Sequence, residues 1–180
     1  MKIGWIALGI VLVALVVGLG EAKDYVERIG QYEVNFTLPD DTAANTKLNK
    51  TTMSGEGLDG TPYHIYSIEL QIPEADQYWG FLWITHLDRT YKMDLAAAAK
   101  NVEGLCRADG YNAANSAYRT IDGRQGYIVQ CMGSEIYKDD YRFQYQLDDK
   151  TTVTARLILD WEKEVLPLLK SLHVKEVPTS

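Results

Sequence analysis

The sequence predicts an α+β fold, an antiparallel β-sheet lying between helices, and three observations predict it. Segments with the period-two alternation of half-buried strands come in consecutive pairs around turn residues, the pattern of hairpins and hence of antiparallel pairing. Two stretches with apolar residues at helical spacing stand among them, one in mid-chain and one near the C-terminus. The hairpin between Tyr63 and Leu87 is apolar on both faces, so its sheet needs cover on both sides.

Each element follows from its residues. The chain opens with 18 uncharged residues, Ile3 to Gly20, between Lys2 and Glu21. That length falls between the roughly 7 to 15 apolar residues of a secretion signal and the about 20 of a spanning helix. Gly18, Gly20 and Ala22 at the exit suit cleavage, so residues 1–22 read as a signal peptide or as a retained N-terminal membrane anchor. With Lys2 on the cytoplasmic side, both readings deliver residues 23–180 as a single extracytoplasmic domain, secreted or held by the N-terminal helix.

Tyr32, Val34, Phe36 and Leu38 alternate with Glu33, Asn35 and Thr37 until Pro39-Asp40-Asp41 ends the strand. Residues 42–62 are polar and rich in Gly, Asn and Thr, with a weak strand near 47–54 and then a turn. "YHIYSIELQI" and "YWGFLWITHL" flank the turn residues "PEADQ"; a turn centred on Ala75 aligns His64 with His86, Tyr66 with Ile84 and Ile68 with Leu82 on one face. On the other face it gathers Trp79, Phe81 and Trp83 opposite Gln71, Glu69 and Ser67. A helix follows with Leu95, Ala98, Ala99, Val102, Leu105 and Cys106 on one side, Asp94 as its cap and Gly110 as its stop. Two more hairpins turn at Asp122-Gly123 and near Asp148-Asp149. A terminal helix carries Trp161, Val165, Leu168, Leu169, Leu172 and His173, with Pro167 requiring a kink or a start near Glu164.

Composition narrows the partners. The net charge of −7, from 18 basic and 25 acidic residues with no basic run, argues against nucleic acid and against an anionic bilayer surface. Membrane contact is expected only through the N-terminal segment. The two cysteines, Cys106 and Cys131, favour a disulfide in an exported domain, worth about 3 to 4 kcal/mol in the chain-entropy model. Two buried thiols are the alternative, and a redox pair is disfavoured by the absence of C-x-x-C.

The element order, the strand "YEVNFTLPDD", the turn "IDGRQGYIVQ" and the closing "TTVTARLILDWEKEVLPLLKSLHV" resemble the PsbP-like αβα sandwich superfamily over about residues 30–175. That superfamily includes a photosystem II extrinsic subunit, a Ran-binding nuclear import factor and small exported prokaryotic proteins. The resemblance implies an accessory or assembly protein that binds another protein without catalysis. It carries over no functional residue, because fold alone does not place a site.

The chemical constellations are few. His64 and His86, directly opposed, are near enough to share a metal, but two ligands do not complete a site and hydrogen-bonded histidines are the plainer reading. No cofactor motif is present and none is expected. The stripe Trp79, Phe81, Trp83 is a candidate surface for a partner or a sugar, but cover by a helix is the expected arrangement, because sheets of this architecture bury both faces. Asp40-Asp41, Asp139-Asp140 and Asp148-Asp149 lack the spacing of a calcium loop and read as turn residues. "MSGEG" and "MGSEI" lack the strand-turn-helix context of a serine nucleophile. Asn35 and Asn49 begin glycosylation acceptor patterns. The sequence therefore points to an exported, non-catalytic accessory or assembly protein; a carbohydrate or small-ligand module on the aromatic stripe is the alternative, and an unrecognised hydrolase the third reading.

Overall fold

The computed structural model describes residues 22–73, 77–135 and 138–178. The apolar run Ile3–Gly20, and with it the choice between signal and anchor, lies outside the described residues, as does Ala75. Among the described residues no helix is long and apolar enough to cross a membrane.

In chain order the elements are β1 (Ala22–Ile29), β2 (Tyr32–Pro39), α1 (Asp40–Ala44), β3 (Lys47–Glu56), β4 (Pro62–Ile72), β5 (Gln77–Leu87), α2 (Leu95–Ala108), β6 (Ala113–Ile121), β7 (Arg124–Met132), β8 (Asp140–Gln146) and β9 (Thr151–Leu157). A single π-turn (Trp161–Val165), α3 (Leu166–Ser171) and β10 (His173–Glu176) complete them. A seven-stranded sheet runs β3-β4-β5-β9-β8-β7-β6, and a three-stranded sheet runs β1-β2-β10. All strand pairs are antiparallel, as the hairpin pattern predicts.

The molecule is mainly β, so the helical share is smaller than expected. On the inner face of the large sheet the cover is the three-stranded sheet together with the π-turn and α3. Tyr32, Val34, Phe36 and Leu38 of β2 meet Ile68, Leu82, Ile84, Phe143, Val153 and Leu157 in one continuous core. β1 escapes sequence reading because four of its eight residues are charged and its core residues, Tyr25 and Ile29, stand four apart, a helical spacing. It is nonetheless paired with β2 from end to end.

The terminal helix is shorter than predicted. Pro167 sits in the first turn of α3, where its missing N–H costs nothing. The preceding π-turn is closed reciprocally: the Asp160 carboxylate accepts from Lys163 N at 2.8 Å, and Glu164 accepts from Asp160 N at 2.7 Å. After Leu172 the chain extends, so His173 lies on a strand and not in a helix. β10 pairs with β2, Val174 is buried, and two bonds to the Asp122 carboxylate, from Val174 N at 3.0 Å and with His173 Nδ1 at 2.7 Å, tie the strand to the turn after β6.

On the outer face α2 packs against β6 and β7. Asp94 caps it by accepting from Ala96 N and Ala97 N, each at 3.0 Å, and Gly110 follows at φ 89°, as the sequence predicts. Ala99 and Cys106 are buried beneath it, and Cys106 is bonded to Cys131 of β7 with Cα atoms 5.5 Å apart.

Candidate functional site

The β4–β5 register is the predicted one from Tyr63 to Gly80: His64 faces His86, Tyr66 faces Ile84 and Ile68 faces Leu82. Beyond Leu70 it shifts, because β5 carries one extra residue, Trp79, and Gln71 pairs with Tyr78. This bulge corrects the aromatic stripe. Trp79 packs against the inner core, with its Nε1 donating to Asn45 O at 3.3 Å, and Tyr78 takes its place on the outer face. Gly80 is what lets the bulge approach β9, since a Cβ there would stand 2.5 Å from Arg156 O.

The outer face therefore presents Tyr78, Phe81 and Trp83 as a ladder. Ring centroids are 4.8 Å apart for Tyr78 and Phe81, and 5.2 Å for Phe81 and Trp83, whose planes differ by only 3°. Among the described residues the expected covering helix is not over them: α2 stands on β6 and β7, and no described helix lies across the half of the face formed by β9, β5, β4 and β3. Tyr78 is 37% exposed, and Phe81 and Trp83 are half-buried. Where the open half meets α2, a groove of about 250 Å³ runs between Trp83, Val102, Leu105, Tyr127 and Arg156. Leu105, predicted to face the core, is 48% exposed at its rim.

Beside this groove lies a charge cluster that sequence reasoning missed. Asp140 is fully buried, and its Oδ2 accepts from Arg142 Nε at 3.1 Å, Arg142 Nη2 at 2.8 Å and Arg156 Nε at 2.7 Å. Asp109, at the end of α2, takes a further bond from Arg142 Nη2 at 2.6 Å. Burial works against the Arg142 charge, but the bonds to Asp140 and Asp109 outweigh it and raise its pKa. Asp140 Oδ1 is buried and has no hydrogen-bond partner among the described residues. The signal was available: residues two apart on a strand share a face, and Asp140-Tyr-Arg142 puts opposite charges on the face that α2 approaches. Asp139-Asp140 is thus not simply turn chemistry, whereas Asp148 accepts from Lys150 N at 2.8 Å within its turn.

Across the sheet one row reads Asn49, Glu69, Phe81, Arg156, Arg142, Val129. Phe81 is flanked by a carboxylate on one side and two guanidinium groups held rigid by a buried counter-ion on the other. Such a row can bind planar and charged groups together. It holds no nucleophile aligned with a base.

The remaining predicted residues lie elsewhere. His86 Nδ1 is 3.1 Å from both Tyr32 OH and Thr151 Oγ1, while His64 Nδ1 is 2.8 Å from Ser54 Oγ on the edge strand. The two rings are held by different partners, and among the described residues no group of three or more His, Cys, Asp or Glu could hold a metal. The Ser54–His64 pair has no carboxylate hydrogen-bonded to it among the described residues. Asn35 lies mid-strand in β2 between Val26 and His173, and Asn49 on β3 donates to Glu69 Oε2 at 2.8 Å. No family model, no curated protein and no solved structure matches this chain.

Proposed function

We propose that the chain is an exported, non-catalytic accessory or assembly protein that holds another protein on the open half of its outer sheet face. One observation carries this reading: Tyr78, Phe81 and Trp83 form a continuous ladder outside the cover of α2, with Arg156 and Arg142 fixed beside it. Aromatic rings and arginine are the side chains that dominate protein interfaces, because they offer large contact area at little entropic cost. Export is supported by the apolar run at residues 3–20 and by the disulfide, which belongs to oxidising compartments. A PsbP-like αβα sandwich is the fold reading proposed with it, supported by the antiparallel seven-stranded sheet with α2 on one face and α3 behind the other.

A photo-reactive phenylalanine at position 78, in the full chain exported by its native host, tests the reading. It should capture one protein, and the same group at Leu58, in the exposed β3–β4 turn, should not. Capture of no protein contradicts it. The near-parallel Phe81–Trp83 rings favour a second reading, a carbohydrate platform. That reading predicts no protein adduct at position 78 and a change in tryptophan fluorescence on adding soluble glycans.

A further inference from the structure

We propose that β6 pairs with β6 of a second copy of the chain, joining two seven-stranded sheets into one across a two-fold axis. A sheet edge is a row of unpaired N–H and C=O groups, and proteins that stay monomeric blunt their edges with charge, proline or bulges. Among the described residues four strands are edges, and three are defended in this way. β1 carries Lys23, Asp24, Glu27 and Arg28; β10 has Lys175 and Glu176 among four residues; β3 carries Lys47, Lys50 and Glu56. β6, "AANSAYRTI", is different: nine residues with one charge, Arg119, no proline and an unbroken register with β7. It is exposed continuously from Asn115 to Thr120.

The geometry of the edge is set by its hairpin. Asp122 and Gly123 have φ of 51° and 71°, a type I′ turn, which makes Ile121 and Arg124 the closing hydrogen-bonded pair. Alternation then turns the N–H and C=O of Ala114, Ser116, Tyr118 and Thr120 away from β7, toward the open side. A two-fold axis through Ala117 matches these groups with themselves: Ser116 faces the second copy's Tyr118, and Ala114 its Thr120, all as hydrogen-bonded pairs.

The side chains fit the same register. The largest, Tyr118, meets the small Ser116, and alanine sits on the axis. Arg119 faces the neutral Asn115, with the two arginines about 14 Å apart at the rise of an extended strand. Nothing on this edge opposes like charge to like. On the inner face a groove of about 310 Å³ between Ala117, Arg119, Ile128, Tyr141 and Trp161 lies along β6, and pairing joins it to its copy across the seam. Closed two-fold dimers are the commonest assembly of this kind.

Both native cysteines are in the Cys106–Cys131 bond, so Ala117→Cys adds a lone thiol on the axis. In an antiparallel pair that is not hydrogen-bonded, opposed Cα atoms stand about 4.5 Å apart, within disulfide reach. The full exported chain with Ala117→Cys should run largely as a linked dimer without reductant, and Ala113→Cys, which faces Ile121, should not. Light scattering of the full chain in mild detergent should give a dimer mass. Tyr118→Pro, which deletes one outward N–H and leaves the β7 ladder intact, should return it to monomer with an unchanged circular dichroism spectrum. A monomer mass for the unaltered chain, or equal cross-linking from positions 113 and 117, overturns the proposal.

Discussion

Asp140 shows how one residue couples the sheet to the candidate face. Its carboxylate is fully buried and binds the guanidinium groups of Arg142 and Arg156 near the base of the groove, and Asp109 also holds Arg142. Pairs of this kind add little against an apolar replacement, but removing one partner leaves buried charge uncompensated. Asp140→Asn should therefore cost about 3 to 5 kcal/mol, read as a lower denaturant midpoint at unchanged slope. An unchanged midpoint would mean that Arg142 and Arg156 are solvated without it. Alternation with Tyr141 and Phe143 suits a solvent-facing Arg142 and equally suits a charged strand face lying under a helix and neutralised there, which is why the sequence alone does not single it out.

At the scale of elements, the β5 bulge decides which aromatic ring serves which face. Gly80→Ala sets a Cβ against Arg156 O, a backbone atom that cannot swing aside. It should destabilise by about 1 to 3 kcal/mol through overpacking and shift Trp79 fluorescence, measured against Gly104→Ala, where the added Cβ meets nothing within 4 Å. The hairpins, α2 with both its caps, and the disulfide were legible because each is local: turn residues, 3.6-residue spacing and an even cysteine count announce them. β1, the bulge and β10 were not. Charged residues fill β1; Gly80 alone hinted at the bulge; and β10 is only four residues, paired with β2 and held further by burial of Val174 and by the Asp122 carboxylate of the β6–β7 turn. The candidate face was half legible, in Phe81 and Trp83, because the stripe follows from period two while the extent of cover depends on where α2 lands.

For the whole molecule, the disulfide and the buried tyrosines set the limits of stability. The Cys106–Cys131 bond ties α2 to β7 across 25 residues, and its loss through paired Cys→Ala substitutions should lower stability by about 2 to 5 kcal/mol. Burial raises the phenol of Tyr127 to about 12, and burial with the nearby Asp148 raises Tyr91 to about 12. Tyr145 is also pushed well above its ordinary value, chiefly by burial and then by Asp122. The unfolded chain ionises these groups near pH 10, so the stability they confer is complete below that pH and is lost as pH rises toward 12. Alkaline titration should show phenolate absorbance from these tyrosines rising together with loss of the folded dichroism spectrum. Their independent ionisation near pH 10 with the fold intact would contradict their burial.

The central claim is that the open half of the outer face is occupied where the protein works. Hydroxyl-radical footprinting of the full chain, in intact cells of its native host and again after purification, tests it most directly. Protection of Tyr78, Phe81 and Trp83 in the cells, with oxidation of the same three after purification and equal oxidation of Leu58 in both, is the predicted result. Equal oxidation of the ladder in the two preparations would contradict the account.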